Sequence, residues 1–408
     1  MANAYSGIVN ETGALVKRFY ADSIVDQLSE MMVIYKLCEK KKEASSGEAV
    51  YVPLRLRRNQ GIGAGDDGGL LPKIGKQGFL QAKVDYKYNW MRAGFTSGLI
   101  AASKTNAGAF AKGVDAQIKY GMKDFMNDFN RQLSSDGVGA LAQLSANAVA
   151  SNVITVIGRE GANEPGNKFI DVDMTVDIYS SAGVLKASGA TISAITGTST
   201  ATVTLDIPVT AASTDIVVRS GNYNKEVQGL LYALDGATST IYGVVDRSAY
   251  PAFQGNVLNV GGGQLTLDAI QNAYNEGLRR GGTGNGIYQA ALCDFDTSRF
   301  YQKLLVSDKR YVNTTKLDGG AWTKERNTLE INGCPLMVDK DFPLRLMFAP
   351  AETLRFYVLN EMELANETGS NMIGSSENDV FELRFRMFGN LFNSAPAAWG
   401  VLRNYISP

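Results

Sequence analysis

The sequence predicts an α+β chain in which a small β-rich module interrupts a larger mixed body. Residues 82–90 alternate apolar and polar side chains, as in a half-buried antiparallel strand. Residues 105–133 carry apolar side chains every three or four positions, as in one long amphipathic helix. Residues 149–219 are rich in Ser, Thr, Gly and Ala and contain short alternating runs, which is typical of a small antiparallel barrel or sandwich.

Length and composition limit the class of protein. A chain of 408 residues with 45% hydrophobic content suggests two or three domains and a sizeable core. Its 40 basic and 41 acidic residues nearly cancel, so charge does not favour a dedicated nucleic-acid or membrane-surface protein. We see no signal peptide and no run near the ~18 apolar residues of a membrane span. We therefore expect a soluble protein made in the cytosol.

The absence of histidine is the strongest constraint on chemistry. Without histidine there is no Ser-His-Asp triad, no Cys-His pair and no histidine metal ligand. The three cysteines, Cys38, Cys293 and Cys334, form no C-x-x-C pair, and we interpret them as buried thiols. Enzymes that rely on carboxylates, lysine or backbone donors remain open, so catalysis is disfavoured and not excluded.

The first 48 residues are predicted to form an arm. Residues 23–37 place apolar side chains at roughly helical spacing. The charged run at 39–43 follows, and we interpret it as a solvated face in preference to a phosphate site.

Residues 49–90 are predicted to form an extended hairpin. A strand at 49–56 leads into a glycine-rich segment, and a strand then returns. One face of the returning strand carries Ala82, Val84, Tyr86, Tyr88 and Trp90. Because isolated two-stranded ribbons are marginal in water, we expect this one to lie on a neighbouring subunit.

The glycine-rich segment contains a G-x-G-x-x-G match at Gly63, Gly65 and Gly68. That motif binds a dinucleotide only where a strand feeds it and a helix opens directly after it. Pro72 and Gly75 break any helix here, so we reject that interpretation. We interpret residues 61–78 as a pliant tip with polar contacts to a neighbour. The residues offering those contacts are Arg55, Arg57, Arg58, Asp66, Asp67, Lys73 and Lys76.

Residues 105–133 are predicted to form a helix long enough to act as a structural spine. Ser103 or Thr105 is expected to cap its start, and Gly137 to end it. We expect the apolar stripe to pack on a sheet, in preference to lining a cofactor pocket. The stripe comprises Phe110, Val114, Ile118, Met122, Phe125, Phe129 and Leu133.

The β-rich region contains a run in which Val172, Met174, Val176 and Ile178 alternate with polar residues. The polar positions are Asp171, Asp173, Thr175 and Asp177. Calcium binding is an alternative for the aspartates, but the run lacks the later ligands and the glycine of a calcium loop. We therefore expect the solvent face of a strand.

The remainder is predicted to be mixed α/β. Thr266 is expected to cap a helix ending at 279–282, and Asp296 a helix near 297–305, with a strand at 288–293 between them. Further strands are expected at 328–331, 335–338, 344–348, 353–359 and 381–387. Asp294 and Asp296 are the nearest approach to a catalytic pair, yet nothing beside them supplies a partner. We expect no catalytic, cofactor-binding or metal-binding residue.

The two closing segments, LEINGCPLMVDKDFPLRLMFAPAETLRFYVL and VFELRFRMFGNLFNSAPAAWGVL, complete an order of parts with a known counterpart. The whole chain resembles the major capsid proteins of tailed bacteriophages, with their Hong Kong 97-type α+β fold. The resemblance divides the chain into an N-terminal arm at 1–48, the E-loop hairpin at 49–90, a peripheral domain with its spine helix at 91–164, an axial domain at 223–360 and a C-terminal return to the peripheral sheet at 361–408. Residues 165–222 depart from that pattern, and we interpret them as a β-rich inserted subdomain.

The resemblance implies a subunit that assembles through hexamers and pentamers into the icosahedral shell of a virion. Assembly is expected in the host cytoplasm. The shell is expected to enclose double-stranded DNA, which each subunit contacts weakly and without sequence specificity. A separate scaffolding protein, a portal and a decoration protein are the further partners that it allows. Two rivals stay open. One is an encapsulin-like compartment shell, and the other is a carboxylate-dependent enzyme or β-rich carbohydrate-binding protein that uses residues 165–222.

Overall fold

The computed structural model describes residues 32–42, 48–96, 107–159, 161, 164–234, 241–281, 288–305, 329–365, 372–374 and 379–408. The helices are α1 (Val33–Leu37), α2 (Ala107–Ser134), α3 (Leu230–Ala233), α4 (Leu267–Gly281) and α5 (Phe295–Leu305). The strands are β1 (Glu39–Lys41), β2 (Ala49–Arg57), β3 (Gly78–Asp85), β4 (Lys87–Thr96), β5 (Ala140–Leu144), β6 (Ala148–Gly158), β7 (Thr175–Tyr179), β8 (Leu185–Thr196), β9 (Ala201–Ala211), β10 (Ile216–Arg219), β11 (Ile241–Tyr242), β12 (Val245–Asp246), β13 (Asn256–Asn259), β14 (Tyr288–Cys293), β15 (Glu330–Ile331), β16 (Cys334–Val338), β17 (Arg345–Pro350), β18 (Leu354–Leu364), β19 (Met372–Gly374), β20 (Val380–Asn393) and β21 (Gly400–Arg403).

A five-stranded sheet and the long helix α2 form the largest core. The sheet runs β1-β18-β20-β19, and β4 pairs with the other side of β20. The buried stripe of α2 packs on it and includes Ile118, Met122, Met126, Phe129 and Leu133. The predicted helix and its role against a sheet are therefore confirmed. Ser103 and Thr105, the predicted caps, lie outside the described residues, as do the side chains of Phe110 and Val114.

The last residues of the predicted arm belong to this core. Helix α1 buries Ile34 and Tyr35 beside Phe129, and β1 pairs in parallel with β18. The predicted solvated face of the charged run is confirmed for residues 39–42, whose side chains are exposed or half-exposed, although residues 32–41 pack on the sheet. The physical reason is that an edge strand pairs through its backbone while its Glu and Lys side chains stay at the surface. Residues 1–31 and 43–47 lie outside the described part.

The β-rich region is a closed barrel of order β10-β5-β6-β9-β8-β7, which confirms the barrel and excludes a two-sheet sandwich. Two of its strands, β5 and β6, precede residue 165, where the sequence placed the start of the module. Their pairing with β10 and β9 removes the open edges that a barrel of β7–β10 alone would leave. The predicted alternating run shortens to β7, and Val172, which precedes this strand, is exposed. The expected solvent face is wrong at Asp177, which is buried within β7.

A six-stranded sheet of order β13-β21-β17-β14-β16-β15 forms the third unit, with α4 and α5 packed against it. Two strands pair in sheets other than those expected from the predicted division into an axial domain at 223–360 and a C-terminal return at 361–408. Strand β18 was placed in the axial domain but pairs with β20, and β21 was placed in the peripheral return but pairs with β13 and β17. A run of apolar residues indicates a buried strand without identifying the strand it pairs with, so the sequence could not assign either one to its sheet.

The returning strand of the hairpin is broken at Tyr86. Strand β3 pairs with β2, whereas β4 leaves the hairpin and pairs with β20. The buried face changes at the break, since Ala82 and Val84 are buried but Tyr88 and Trp90 are half-exposed. The predicted single face over residues 82–90 is therefore wrong beyond Tyr86.

Candidate assembly interface

The base of the hairpin rests on its own subunit. Val50, Val52 and Leu54 alternate inward from β2, and Ala82 and Val84 do the same from β3. They pack on an aromatic cluster formed by Tyr242, Phe253, Tyr357 and Phe392. The ribbon is thus anchored internally over its paired strands, which corrects the expectation that it gains its support from a neighbour. Only the segment beyond the strands lacks such support.

That segment, residues 58–77, is hereafter the tip. Its two limbs run close together, because a Cβ added to Gly61 would lie 2.6 Å from the backbone nitrogen of Gly75. At the far end, the Gly69 amide donates to the Asp66 carbonyl at 2.9 Å, and Gly68 takes a left-handed φ of +75°. Strand β3 follows the tip, with no helix N-terminus after Gly68. The geometry that a dinucleotide site requires is therefore missing from this stretch.

The surface of the tip is apolar as well as charged. Leu70 is 98% exposed and Ile74 is 99% exposed, with Ile62 and Leu71 close to those values. Large apolar side chains clustered on one exposed segment mark an interaction surface. The sequence predicted contacts to a neighbour only for charged residues in and beside the tip, so the contact role of these four apolar residues was missed. Their signal was the presence of large apolar residues in a glycine-rich stretch without helix or strand periodicity.

A second surface lies where β4 faces the barrel and the spine helix. Strand β4 pairs with β20 on one side and with no other described strand. Beside it a groove of about 900 Å³ is bounded by β4, by α2 and by residues 219–226, and we call it the β4 groove. Tyr88 and Trp90 line this groove, and both rings pack edge-on against Phe388 at 4.9 and 4.8 Å. They leave an aromatic surface about half exposed to solvent.

A buried ion network fixes the wall of the β4 groove. Arg131 of α2 contacts Glu226 at 2.7 Å and Asp128 at 3.1 Å, and Arg219 approaches Asp128 at 3.5 Å. Burial raises the pKa of Asp128, but the charges of Arg131 and Arg219 outweigh it and the pKa is lowered. Burial lowers the pKa of Arg131, but its carboxylate partners Asp128 and Glu226 outweigh that effect and the pKa is raised. Asp128 and Arg131 are therefore charged, and the ion pairs tie the segment that follows the barrel to the helix.

No family model matches the sequence, and no curated protein matches it. Solved structures do match. A cyanophage A-1(L) capsid chain is 13% identical, with a TM-score of 0.54 over 92% of this chain and 93% of that one. A capsid chain of the native GTA particle is 9% identical, with a TM-score of 0.50 over 91% of this chain and 90% of that one.

The chain has the Hong Kong 97-type capsid fold. The expected α+β class is confirmed, and the likeness extends over more than nine-tenths of the chain. None of the described helices is long and apolar enough to span a membrane.

Within this capsid fold, the residues considered for chemistry hold secondary structure in place. Asp294, and not the predicted Asp296, caps α5: its Oδ1 accepts from the Thr297 amide at 3.1 Å. Burial raises the pKa of Asp294, against the hydrogen bonds from Thr297 that lower it. Asp296 forms a surface ion pair with Arg299 at 2.9 Å. The predicted cap of α4 is confirmed, since the Ala269 amide donates to Thr266 Oγ1 at 3.1 Å.

The aspartates of the barrel are placed apart by the turn before β7. Asp171 and Asp173 are exposed, whereas Asp177 is buried and accepts from the amides of Gly189 and Gly221 at 2.8 and 2.9 Å. Across the described ranges, no three His, Cys, Asp or Glu side chains come together as metal ligands. Cys38, Cys293 and Cys334 are all buried, as expected, and burial raises the pKa of each thiol.

Proposed function

We propose that this chain is the major capsid protein of a tailed-phage type of particle. In this proposal it self-assembles through hexamers and pentamers into an icosahedral shell that encloses double-stranded DNA. The observation that carries the proposal is the tip, which projects four large apolar side chains into solvent beyond the paired strands β2 and β3. Such a surface is costly in a monomer and is explained by a contact with another copy. The capsid fold over the whole chain supports the same function.

The parts of the chain take the following roles in this proposal. The hairpin of β2, β3 and the tip is the E-loop, and α2 with the five-stranded sheet is the peripheral domain. The six-stranded sheet with α4 and α5 is the axial domain. The barrel of β5–β10 is an inserted subdomain, and residues 1–48 are the arm. The barrel has a core of its own, whereas one face of the six-stranded sheet packs into the core around α2 through Leu292, Met347 and Val401. In this proposal the tip adapts to the different contacts of hexamers and pentamers.

Binding in the shell is mainly between copies of the chain. Obligate subunit interfaces bury about 2,000 Å² or more, and in this proposal several surfaces contribute to each contact. Contact with the enclosed DNA is weak and non-specific, because the chain is charge-balanced. A scaffolding protein, a portal and a decoration protein are further partners in this proposal. The protein acts without enzymatic activity, as a structural component of the virion.

The apolar side chains of the tip provide the test. We expect replacement of Ile62, Leu70, Leu71 and Ile74 by serine to leave the melting temperature of the subunit within about 2 °C of wild type, because exposed residues contribute little to folding. We expect the same variant to lose closed shells, which negative-stain microscopy and sedimentation detect.

A matched control carries four serines at exposed valines of the barrel, Val149, Val153, Val172 and Val184. This control is expected to retain shells. Normal shells from the tip variant would contradict the assignment of the tip as an assembly contact. The contents of wild-type particles then separate the rivals, since packaged DNA indicates a virus and protein cargo indicates an encapsulin-like compartment.

A further inference from the structure

The hairpin carries a concentration of positive charge where its paired strands end and the tip begins. Five cationic side chains are exposed there, and none of them makes an ion pair within the described part of the chain. They are Arg55, Arg57, Arg58, Lys73 and Lys76, and we call them the basic band.

The two limbs of the hairpin bring these cations together. Arg57 lies opposite Gly78 in the register of β2 and β3. Further out, a Cβ added to Gly61 would lie 2.6 Å from the backbone nitrogen of Gly75. The limb that carries the arginines therefore runs beside the limb that carries the two lysines. The residues from Arg55 to Gly61 span roughly 20 Å at most, at about 3.3 Å for each residue.

The basic band is not interrupted by acidic residues. Residues 55–65 and 72–79 contain no Asp or Glu, and Asp66 and Asp67 lie at the turn at the far end of the tip. At the base of the hairpin, Asp85 pairs with Lys83 at 2.7 Å, outside the band. The band is thus a local region of one sign of charge in a chain whose total charge is balanced. Such a region attracts a polyanion.

Two exposed aromatic rings accompany the charges on the solvent face of the hairpin. Phe79 is 63% exposed and lies directly opposite Arg55, while Tyr51 is 60% exposed and lies opposite Lys83. The two rings are four strand positions apart, or roughly 13 Å at about 3.3 Å for each residue. Single-stranded nucleic acid suits such a surface, because its phosphates pair with cations and its bases stack on aromatic rings. A duplex keeps its bases stacked inside and cannot use the rings.

We propose that the basic band of the unassembled subunit binds single-stranded nucleic acid, with bases stacked on Phe79 and Tyr51. This inference goes beyond the proposed function, because it concerns the free subunit and a partner other than a second copy. The binding is independent of sequence, since every base offers a face for stacking. It is also salt-dependent, because each phosphate that is neutralised releases counterions.

Fluorescence anisotropy with a labelled oligothymidylate tests the proposal, using the full chain below the concentration at which it assembles. We expect a Kd of about 1–100 μM near physiological salt, the range of non-specific binding. The double variant Arg55→Gln, Arg57→Gln should weaken binding about tenfold and reduce the salt slope by about 1.4, at about 0.7 for each phosphate contact on a single strand. Phe79→Ala should weaken binding at least about fivefold, through the loss of base stacking.

The matched control makes the same kinds of change on the exposed face of α2, with Lys119→Gln, Lys123→Gln and Tyr120→Ala. It should leave the affinity for the oligothymidylate and the salt slope unchanged, because these residues lie outside the hairpin. A DNA duplex of the same length should bind with no sensitivity to Phe79→Ala. Thermal melting checks that each variant is folded. If the arginine variant fails to fold, Lys73→Gln with Lys76→Gln takes its place, with the same expected pattern.

Three results would overturn the proposal. The first is folded wild-type subunit that does not bind the oligothymidylate at low salt. The second is equal loss of affinity in the hairpin variants and the α2 control. The third is polyglutamate that displaces the oligothymidylate with equal affinity, together with a neutral Phe79→Ala, which would assign the basic band to an acidic protein surface. All three leave the proposed function standing, because particle formation is measured separately.

Discussion

At the scale of single residues, the core around α2 depends on a buried apolar stripe and on one buried ion pair. The stripe of α2 is buried at Ile118, Met122, Phe129 and Leu133, as its helical spacing predicts. Spacing sets which face of a helix is apolar, so this inference needs no tertiary information. The buried pairing of Arg131 with Glu226 joins residues far apart in sequence, and only the fold brings them together.

That ion pair carries a prediction at this scale. Both residues are almost fully buried. Removing the charge of Glu226 therefore leaves the buried guanidinium of Arg131 with Asp128 as its charged partner. We expect Glu226→Gln to lower the free energy of unfolding by about 3 kcal/mol. Urea denaturation followed by circular dichroism measures the change.

The control for this prediction is Glu276→Gln, which removes a helix-surface pair with the largely exposed Arg279. Exposed pairs are worth about 0.2–1 kcal/mol, so the control should change the free energy of unfolding far less. Equal losses for the two variants would show that burial of the Arg131 pair has no special role in stability.

At the scale of elements, the sequence located most helices and strands but could not assign strands to sheets. Helix α4 was predicted with its cap at Thr266, and the strand over residues 288–293 was predicted at the bounds of β14. Strands β18 and β21 each contain a buried run, and such a run carries no information about which sheet the strand joins. The break at Tyr86 was missed for a related reason, since the face change between β3 and β4 follows from their different partners.

A close approach between α4 and β21 carries a prediction at this scale. A Cβ on Gly400 would overlap the carbonyl oxygen of Ala273, which is backbone and cannot rotate away. We expect Gly400→Ala to destabilise the subunit by about 2–3 kcal/mol through overpacking between the helix and the sheet. Thermal or urea unfolding measures the loss.

Gly263→Ala is the matched control, because a Cβ there makes only ordinary contacts and its φ lies outside the left-handed region. That change should stay within about 0.5 kcal/mol of wild type. A neutral Gly400→Ala would mean that α4 and β21 separate easily, against the close packing described here.

At the scale of the whole molecule, the order of parts along the chain predicted the capsid fold, because each part has a distinct texture. A charged, glycine-rich excursion, a long amphipathic helix and a Ser/Thr-rich β module are each recognisable from local composition. The extent of the barrel was not recognisable, since its closure depends on pairing between β6 and β9. The charged residues of the tip were visible in the sequence, but the apolar surface of the tip became visible only with the burial of each side chain.

The central claim is that this chain is a subunit built for a closed shell, and cryo-electron microscopy of the purified, concentrated protein tests it most directly. The account predicts hollow icosahedral particles in which each tip contacts a neighbouring copy. Uniform monomers or small oligomers with a solvent-exposed tip, under conditions that keep the subunit folded, would contradict it.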